Sequence, residues 1–202
     1  MPRPPSRDFT PRRPGSPRVV AGTLGGRRLA TPSGRATRPT SERVREALFN
    51  SLAGLVELSG CRFADLYAGS GAVGVESLSR GASRVLFVES DPGAARVLRG
   101  NLAQLGLAGS AEVVVAPVAR AVSGTPPTQP YHVIFADPPY ELADADLGVV
   151  LSHLVGGGWI APDGVVVLER GTRSGSPVWV PGLTGFRIRR YGETTLWYGR
   201  PS

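Results

Sequence analysis

From Arg62 onward the chain alternates short, almost unbroken apolar runs with longer mixed stretches. RFADLY, RVLFVE, AEVVVA, YHVIFA and GVVVLE read as buried parallel strands, because a strand covered on both faces loses the polar–apolar alternation of a half-exposed one. Between them lie helix-length segments: GAVGVESLSRG, DPGAARVLRGNLAQLG, PVARAVS and the stretch from Asp144 to Val155. This rhythm predicts a doubly wound α/β sheet. The tail departs from it. FRIRRYG and ETTLWYG follow one another with almost nothing between them, which predicts an antiparallel hairpin at a sheet edge.

Upstream, RVVAG and RRLAT flank the turn TLGG and read as a short hairpin. PSGRATRPT is then a loop, and Thr40 or Ser41 caps a helix through SERVREALFNSLAGLV. Glu42 stands in its first turn, and Val44, Leu48, Leu52 and Leu55 share one face. The opening MPRPPSRDFTPRRPGSP carries six prolines and four arginines and reads as a disordered or extended leader. The expected organisation is thus a leader over 1–17, a basic hairpin and helix over 18–60, and an α/β domain over 61–202.

Composition narrows the function classes. At 202 residues and 41% hydrophobic content, one globular domain with a small appendage fits. The lone Cys61 excludes an internal disulfide and a multi-cysteine metal site, and with only His132 and His153 beside it no metal is expected. LGVVLSHLVGGGWIAP is too interrupted for a membrane span, and the N-terminus lacks the apolar core of a signal peptide, so a cytoplasmic protein is the default. The net charge of +7 is uneven: residues 1–46 hold 11 arginines against Asp8, Glu42 and Glu46, and the remainder is close to neutral. A cationic N-terminal quarter suits a phosphate-rich partner, with Arg27, Arg28, Arg35 and Arg38 as the candidate phosphate-gripping residues.

The candidate chemistry lies in two motifs. Gly69, Gly71 and Gly74 stand in G-x-G-x-x-G spacing after a strand and at the opening of a helix, and Glu89 ends the next strand 20 residues after Gly69. This is a nucleotide-cofactor layout: the glycines admit close backbone approach, and the acid receives ribose hydroxyls. Taken alone it fits NAD as well as S-adenosylmethionine. Asp65 tilts the choice, since a carboxylate there opposes the phosphates of a dinucleotide and suits the cationic sulfonium and amino groups of S-adenosylmethionine. The second motif is Asp137, Pro138, Pro139 and Tyr140, directly after YHVIFA. Two consecutive prolines stiffen the loop and remove two backbone donors. A carboxylate and a rigid free carbonyl can each accept one N–H of an aromatic amine, which favours a pyramidal nitrogen whose lone pair points at a methyl group. Tyr140 offers a face on which the base can stack.

Glycine loop, second-strand acid and D-P-P-Y, in that order, resemble the S-adenosylmethionine-dependent amino-methyltransferases. A closer resemblance runs from Arg18 almost to the end. RVVAGTLGGRRLATPSGRATRPTSERVREALFNSL, DLYAGSGAVGVESLSRGASRVLFVESD, FADPPY and RRYGETTLWYG together look like the RsmD family, bacterial 16S ribosomal RNA (guanine-N2)-methyltransferases whose target is guanine 966 in the usual numbering. The resemblance implies a Rossmann-like fold of seven strands, the last pair forming the antiparallel hairpin. It implies that Asp65, Tyr67, Gly69, Ser70 and Gly71 hold the methionine end of the cofactor, Glu89 the ribose, and Asp137 to Tyr140 the guanine. Arg38 and Thr40 would close over cofactor or RNA. The segment after the third strand offers Ala116, Pro117 and Val118 where many methyltransferases place an acid, so adenine contacts at Val118 would come from backbone. The implied partner is 16S ribosomal RNA, within a partly or fully assembled small subunit, and a monomer is expected. Three alternatives remain: an adenine-N6 methyltransferase, a non-catalytic RNA-binding assembly factor, and a nicotinamide oxidoreductase, which Asp65 disfavours.

Overall fold

The computed structural model describes residues 16–32 and 41–202. The leader up to Gly15, and Arg35, Arg38 and Thr40, therefore lie outside the described residues. The elements in chain order are α1 (Glu42–Leu52), β1 (Arg62–Leu66), α2 (Ala72–Ser79), β2 (Arg84–Glu89), α3 (Pro92–Gln104), β3 (Ala111–Val115), α4 (Val118–Val122), β4 (Tyr131–Ala136), α5 (Asp144–Gly156), β5 (Ile160–Gly171), β6 (Leu183–Tyr191) and β7 (Thr194–Pro201).

One seven-stranded sheet carries them in the order β3-β2-β1-β4-β5-β7-β6. Strands β1 to β5 are parallel, and β7 runs antiparallel between β5 and the edge strand β6. The chain leaves β1 towards β2 and β3, then crosses back to β4, so neighbouring connections diverge at the carboxyl ends of β1 and β4. That divergence opens the crevice in which α/β sheets hold ligands. One face is covered by α1, α2 and α3 through Leu48, Phe49, Val75 and Leu98; the other is covered by α4 and α5 through Val122, Leu151 and Leu154. β1 and β4 are buried almost throughout, as their continuous apolar character requires. Among the described residues no helix is long and apolar enough to cross a membrane.

Local signals set the helix starts. The Ser41 hydroxyl accepts from the Val44 N–H at 3.2 Å and opens α1, and Asp91 accepts from Ala94 with Pro92 in the first turn of α3. Two expectations are corrected. α1 stops at Leu52 instead of running through Val56: both Leu55 and Val56 donate back to the Leu52 carbonyl, and Gly54 is a poor helix former. The N-terminal hairpin keeps a single bridge, Arg18 to Arg28, flanked by the Val19 and Leu29 amides donating across it to the Arg27 and Pro17 carbonyls at 2.9 Å, and beyond it the amides turn to α2. Val20 and Ala21 donate to the Glu76 carboxylate at 2.6 and 2.9 Å, and Leu24 donates to the Ser79 hydroxyl.

These contacts fasten the hairpin to α2, the helix that begins at the glycine loop. Glu76 is fully buried and lies 3.5 Å from the equally buried Arg45 of α1 and 2.8 Å from Arg80. Arg45 also donates to the Arg18 carbonyl. A buried acid with two cations and two amides around it is the satisfied form of a group that alone would be costly.

Candidate active site

The chain leaves β1 through a loop in which three of five residues adopt left-handed backbone: Tyr67 (φ 70°), Gly69 (φ 54°) and Gly71 (φ 82°). Tyr67 is the only non-glycine residue with positive φ among the described residues, a conformation that costs on the order of 1 kcal/mol or more and that clusters at functional loops. The glycines divide the work. A Cβ on Gly74 would meet Phe87 at 2.2 Å, and one on Gly71 would meet Leu98 at 2.2 Å, so these two let α2 and α3 pack close. A Cβ on Gly69 would meet nothing within 4 Å; its α-carbon borders open space at the crevice.

Asn101 of α3, buried, braces this loop. Its amide donates to the Ser70 carbonyl at 2.9 Å and to the Ala30 carbonyl at 3.0 Å, and its oxygen accepts from the Ala30 N–H at 2.8 Å. The N-terminal segment is thereby joined to the loop by one side chain.

Four acids converge at the carboxyl ends of adjacent strands. Glu89 ends β2, Asp65 lies near the end of β1, Asp137 follows β4, and Glu169 lies near the end of β5. Glu89 receives the Gly69 N–H at 2.7 Å on one oxygen and the Asp91 N–H at 2.8 Å on the other. A carboxylate has about four acceptor sites, so it can still receive hydroxyls. Asp65 is buried and accepts from the Gly74 N–H at 2.9 Å. Burial pushes its carboxyl up to about 8; the Gly74 amide opposes the rise, and the charge of Glu89 adds to it. The Asp137 carboxyl is likewise pushed well above the ordinary carboxylate range, by burial first, then by Glu169 and Asp65. Among the described residues no group of acids, cysteines and histidines is arranged to hold a metal ion. These four side chains form an acid well at the strand ends, in which the charge of Glu89 adds to the rise of Asp65 and the charges of Glu169 and Asp65 add to the rise of Asp137.

The D-P-P-Y loop leaves β4 beside this well. Asp137 is half-buried, Pro138 is buried, and Tyr140 is 74% exposed. The Leu142 amide donates to the Pro139 carbonyl at 3.0 Å and closes the turn, whereas among the described residues nothing donates to the Pro138 carbonyl. The Tyr140 ring lies over the α-carbon of Gly171 at the end of β5, where a Cβ would come within 3.0 Å of it.

The sequence-derived candidates Asp65, Tyr67, Gly69, Ser70, Gly71, Glu89 and Asp137 to Tyr140 therefore stand at, or in the loops that follow, the carboxyl ends of the adjacent strands β2, β1 and β4. Val118 begins α4, past the end of β3, with its side chain buried. Arg27 and Arg28 are exposed on the hairpin that docks on α2, and no described contact ties them to the acid well. Sequence reasoning missed Glu169, Gly171, Asn101 and the pair Arg45–Glu76. Glu169 had a signal, an acid closing the apolar run GVVVLE. Asn101, Arg45 and Glu76 had none, since nothing in a sequence ties a helical polar residue to a partner 31 or 71 positions away.

The family model described as "Conserved hypothetical protein 95" matches residues 17–200. The chain is 36% identical over 165 residues to "Ribosomal RNA small subunit methyltransferase D" of Escherichia coli strain K12, covering 81% of this chain and 79% of that one. It is 34% identical over 173 residues to the protein of the same name from Haemophilus influenzae, covering 85% and 86%. Among solved structures, yhhF of Escherichia coli superposes with a TM-score of 0.80 at 30% identity, covering 93% of this chain and 99% of that one.

Proposed function

The chain belongs to the Conserved hypothetical protein 95 family and is a ribosomal RNA methyltransferase like its named relatives, and on that premise we propose that it moves a methyl group from S-adenosylmethionine to the exocyclic N2 of a guanine in 16S ribosomal RNA. The observation that carries the reading is the acceptor pair next to the acid well. The Asp137 carboxyl and the Pro138 carbonyl, to which no described residue donates, stand on one stiff loop, one strand away from Asp65.

S-adenosylmethionine, when bound, supplies an electrophilic methyl group on a positively charged sulfur. The residues of this chain do the rest. Asp65 and the left-handed loop of Tyr67, Gly69, Ser70 and Gly71 hold the methionine end, and the charge of Asp65 is what recognises a cation. Glu89 accepts ribose hydroxyls with the lone pairs that Gly69 and Asp91 leave unused. Backbone at Val118 borders the adenine. Arg38 and Thr40 are assigned to closure over the site on sequence grounds alone. Asp137 and Pro138 each accept one N–H of the guanine amine, and both bonds strengthen as the nitrogen turns pyramidal, so the stabilisation is greatest in the transition state. Tyr140 is exposed enough to stack on the base and is steadied from below by Gly171. Placement of amine and methyl in line supplies the remaining acceleration.

The test is methyl transfer to small subunits purified from cells lacking the enzyme, followed by mapping of the modified nucleotide. A methyl group on guanine N2 is the expected product. Modification of an adenine N6 would overturn the guanine assignment, since the acceptor pair serves either amine.

A further inference from the structure

We infer that the edge strand β6 is a docking rail for the phosphates of the RNA flanking the methylated nucleotide; this rests on the reading of the substrate as RNA. Arg187, Arg189 and Arg190 lie on β6, and Arg200 lies on β7 opposite Thr184. β6 carries no carboxylate; Glu193, in the turn that follows, is the nearest acid in sequence. Arg18 and Arg84 at other surfaces each pair with an acid, at 3.3 and 3.4 Å, whereas Arg96, Arg99 and Arg120 on α3 and α4 make no ion pair with a described residue and so serve as a matched comparison. None of the four hairpin arginines makes an ion pair with a described residue; Arg189 bonds only to the Ile188 carbonyl at 3.3 Å. Arg187 and Arg200 instead stand over the Phe186 ring, at 5.9 and 5.2 Å from its centre. Cations that face solvent along an extended edge, two of them steadied by one aromatic ring, are a surface that the phosphates of single-stranded nucleic acid can take.

Position separates this row from an ordinary guarded edge. Sheet edges often carry cations simply to prevent strand pairing. Here the register places them level with the acceptor loop. Ala136 pairs with Leu168, so Asp137 is level with Glu169; Glu169 pairs with Leu196, and Leu196 with Arg189. Arg190 is level with Arg170 through Thr195. Three strand spacings separate β4 from β6, about 14 Å. Arg187 and Arg189 share one face of β6 and Arg190 points to the other, so RNA presenting a base to Asp137 and leaving across the ends of β5 and β7 would bring its next phosphates to an edge lined by arginines on both faces.

The experiment compares two triple variants of the full chain that remove equal charge. One carries Arg187→Gln, Arg189→Gln and Arg190→Gln. The other carries Arg96→Gln, Arg99→Gln and Arg120→Gln, all exposed on α3 and α4. The β6 variant should raise KM for the RNA substrate about tenfold or more. It should also reduce the log–log salt slope of RNA binding by roughly 0.7 to 0.9 for each phosphate no longer held. Its kcat at saturating RNA, its cofactor affinity and its melting temperature should stay those of the parent, and the control variant should stay near the parent throughout. Equal losses in both variants would reduce the effect to bulk charge and overturn the rail. Unchanged RNA binding with new self-association would make β6 a guarded edge only and would overturn the rail as well. A parent that binds RNA but transfers no methyl group overturns the enzymatic reading while leaving the rail to the salt slopes.

Discussion

Replacing Asp65 with Asn should make the free protein more stable and its cofactor complex weaker, and both effects should grow with pH. The carboxyl stands at about 8 in the fold against an ordinary value of 3.8, because burial strips its water and Glu89 adds a like charge. A carboxyl raised on folding stabilises the native state fully only below its unfolded value, and that contribution is lost as pH rises through the folded one. At pH 7 the interval corresponds to on the order of 4 kcal/mol, an upper bound because a buried site relaxes when it ionises. Asparagine keeps the shape and an oxygen for the Gly74 amide, and it does not titrate. For a chain of this size each kcal/mol moves the melting temperature by roughly 2–4 °C. Scanning calorimetry of the ligand-free proteins should therefore show the variant melting several degrees above the parent at pH 8, with the gap closing towards pH 5.5. Titration calorimetry with S-adenosylmethionine should show the reverse ranking. The parent's advantage in affinity should increase up to tenfold per pH unit below about 8, because the bound cation favours the ionised acid. Taking the ratio of parent to variant cancels the ligand's own ionisation. A gap in melting temperature that does not change with pH, or a variant that binds the cofactor as well as the parent at pH 8, would refute the assignment of Asp65 as the cation-recognising acid.

Three further outcomes follow from the site's construction. Asp137→Ala should lower methyl transfer roughly 100- to 1,000-fold while cofactor affinity stays within a few-fold, measured by single-turnover transfer beside equilibrium binding. Gly69→Ala and Gly71→Ala should separate: the first, whose Cβ meets only open space, should weaken cofactor binding at a stability cost of about 1 kcal/mol. The second, driven into Leu98 at positive φ, should unfold at clearly lower denaturant, by about 1–3 kcal/mol. Arg45→Ala should cost about 3–5 kcal/mol in urea unfolding, because it removes a buried cation from the buried Glu76.

The residues that sequence reasoning located share one property: their signal is local. β4 was legible from its apolar run, and Asp137 from the carboxylate and two prolines that end it. The Gly69–Gly74 spacing and Glu89 belong to a turn and the strand beside it. What escaped was set by the third dimension. The hairpin at Arg18–Arg28 reads as two strands, yet Val20 and Ala21 spend their amides on Glu76, 56 and 55 residues away. Arg45 carries no sequence signal of burial, yet Glu76 and the Arg18 carbonyl make it a buried residue. The helix end at Leu52 was set by the Leu55 and Val56 amides turning back to the Leu52 carbonyl, a closure that apolar periodicity does not report. Glu169 is the one omission that periodicity could have prevented, since it closes its run as Glu89 does.

The strand order also dictates a sequence of events during synthesis. β1 sits inside the sheet with β2 on one side and β4 on the other, and β4 begins only at Tyr131. While the ribosome is still making residues 67–130, β1, β2 and β3 can pair, but the flank of β1 that awaits β4 stays open, with Phe63, Ala64 and Leu66 along it. An apolar strand with a free flank recruits any extended chain nearby. Nascent chains halted between Val115 and Tyr131 should therefore be the most aggregation-prone species this protein passes through, and that exposure ends when YHVIFA emerges and seals the flank. The same six residues that deliver Asp137 to the crevice are the ones that close the growing sheet.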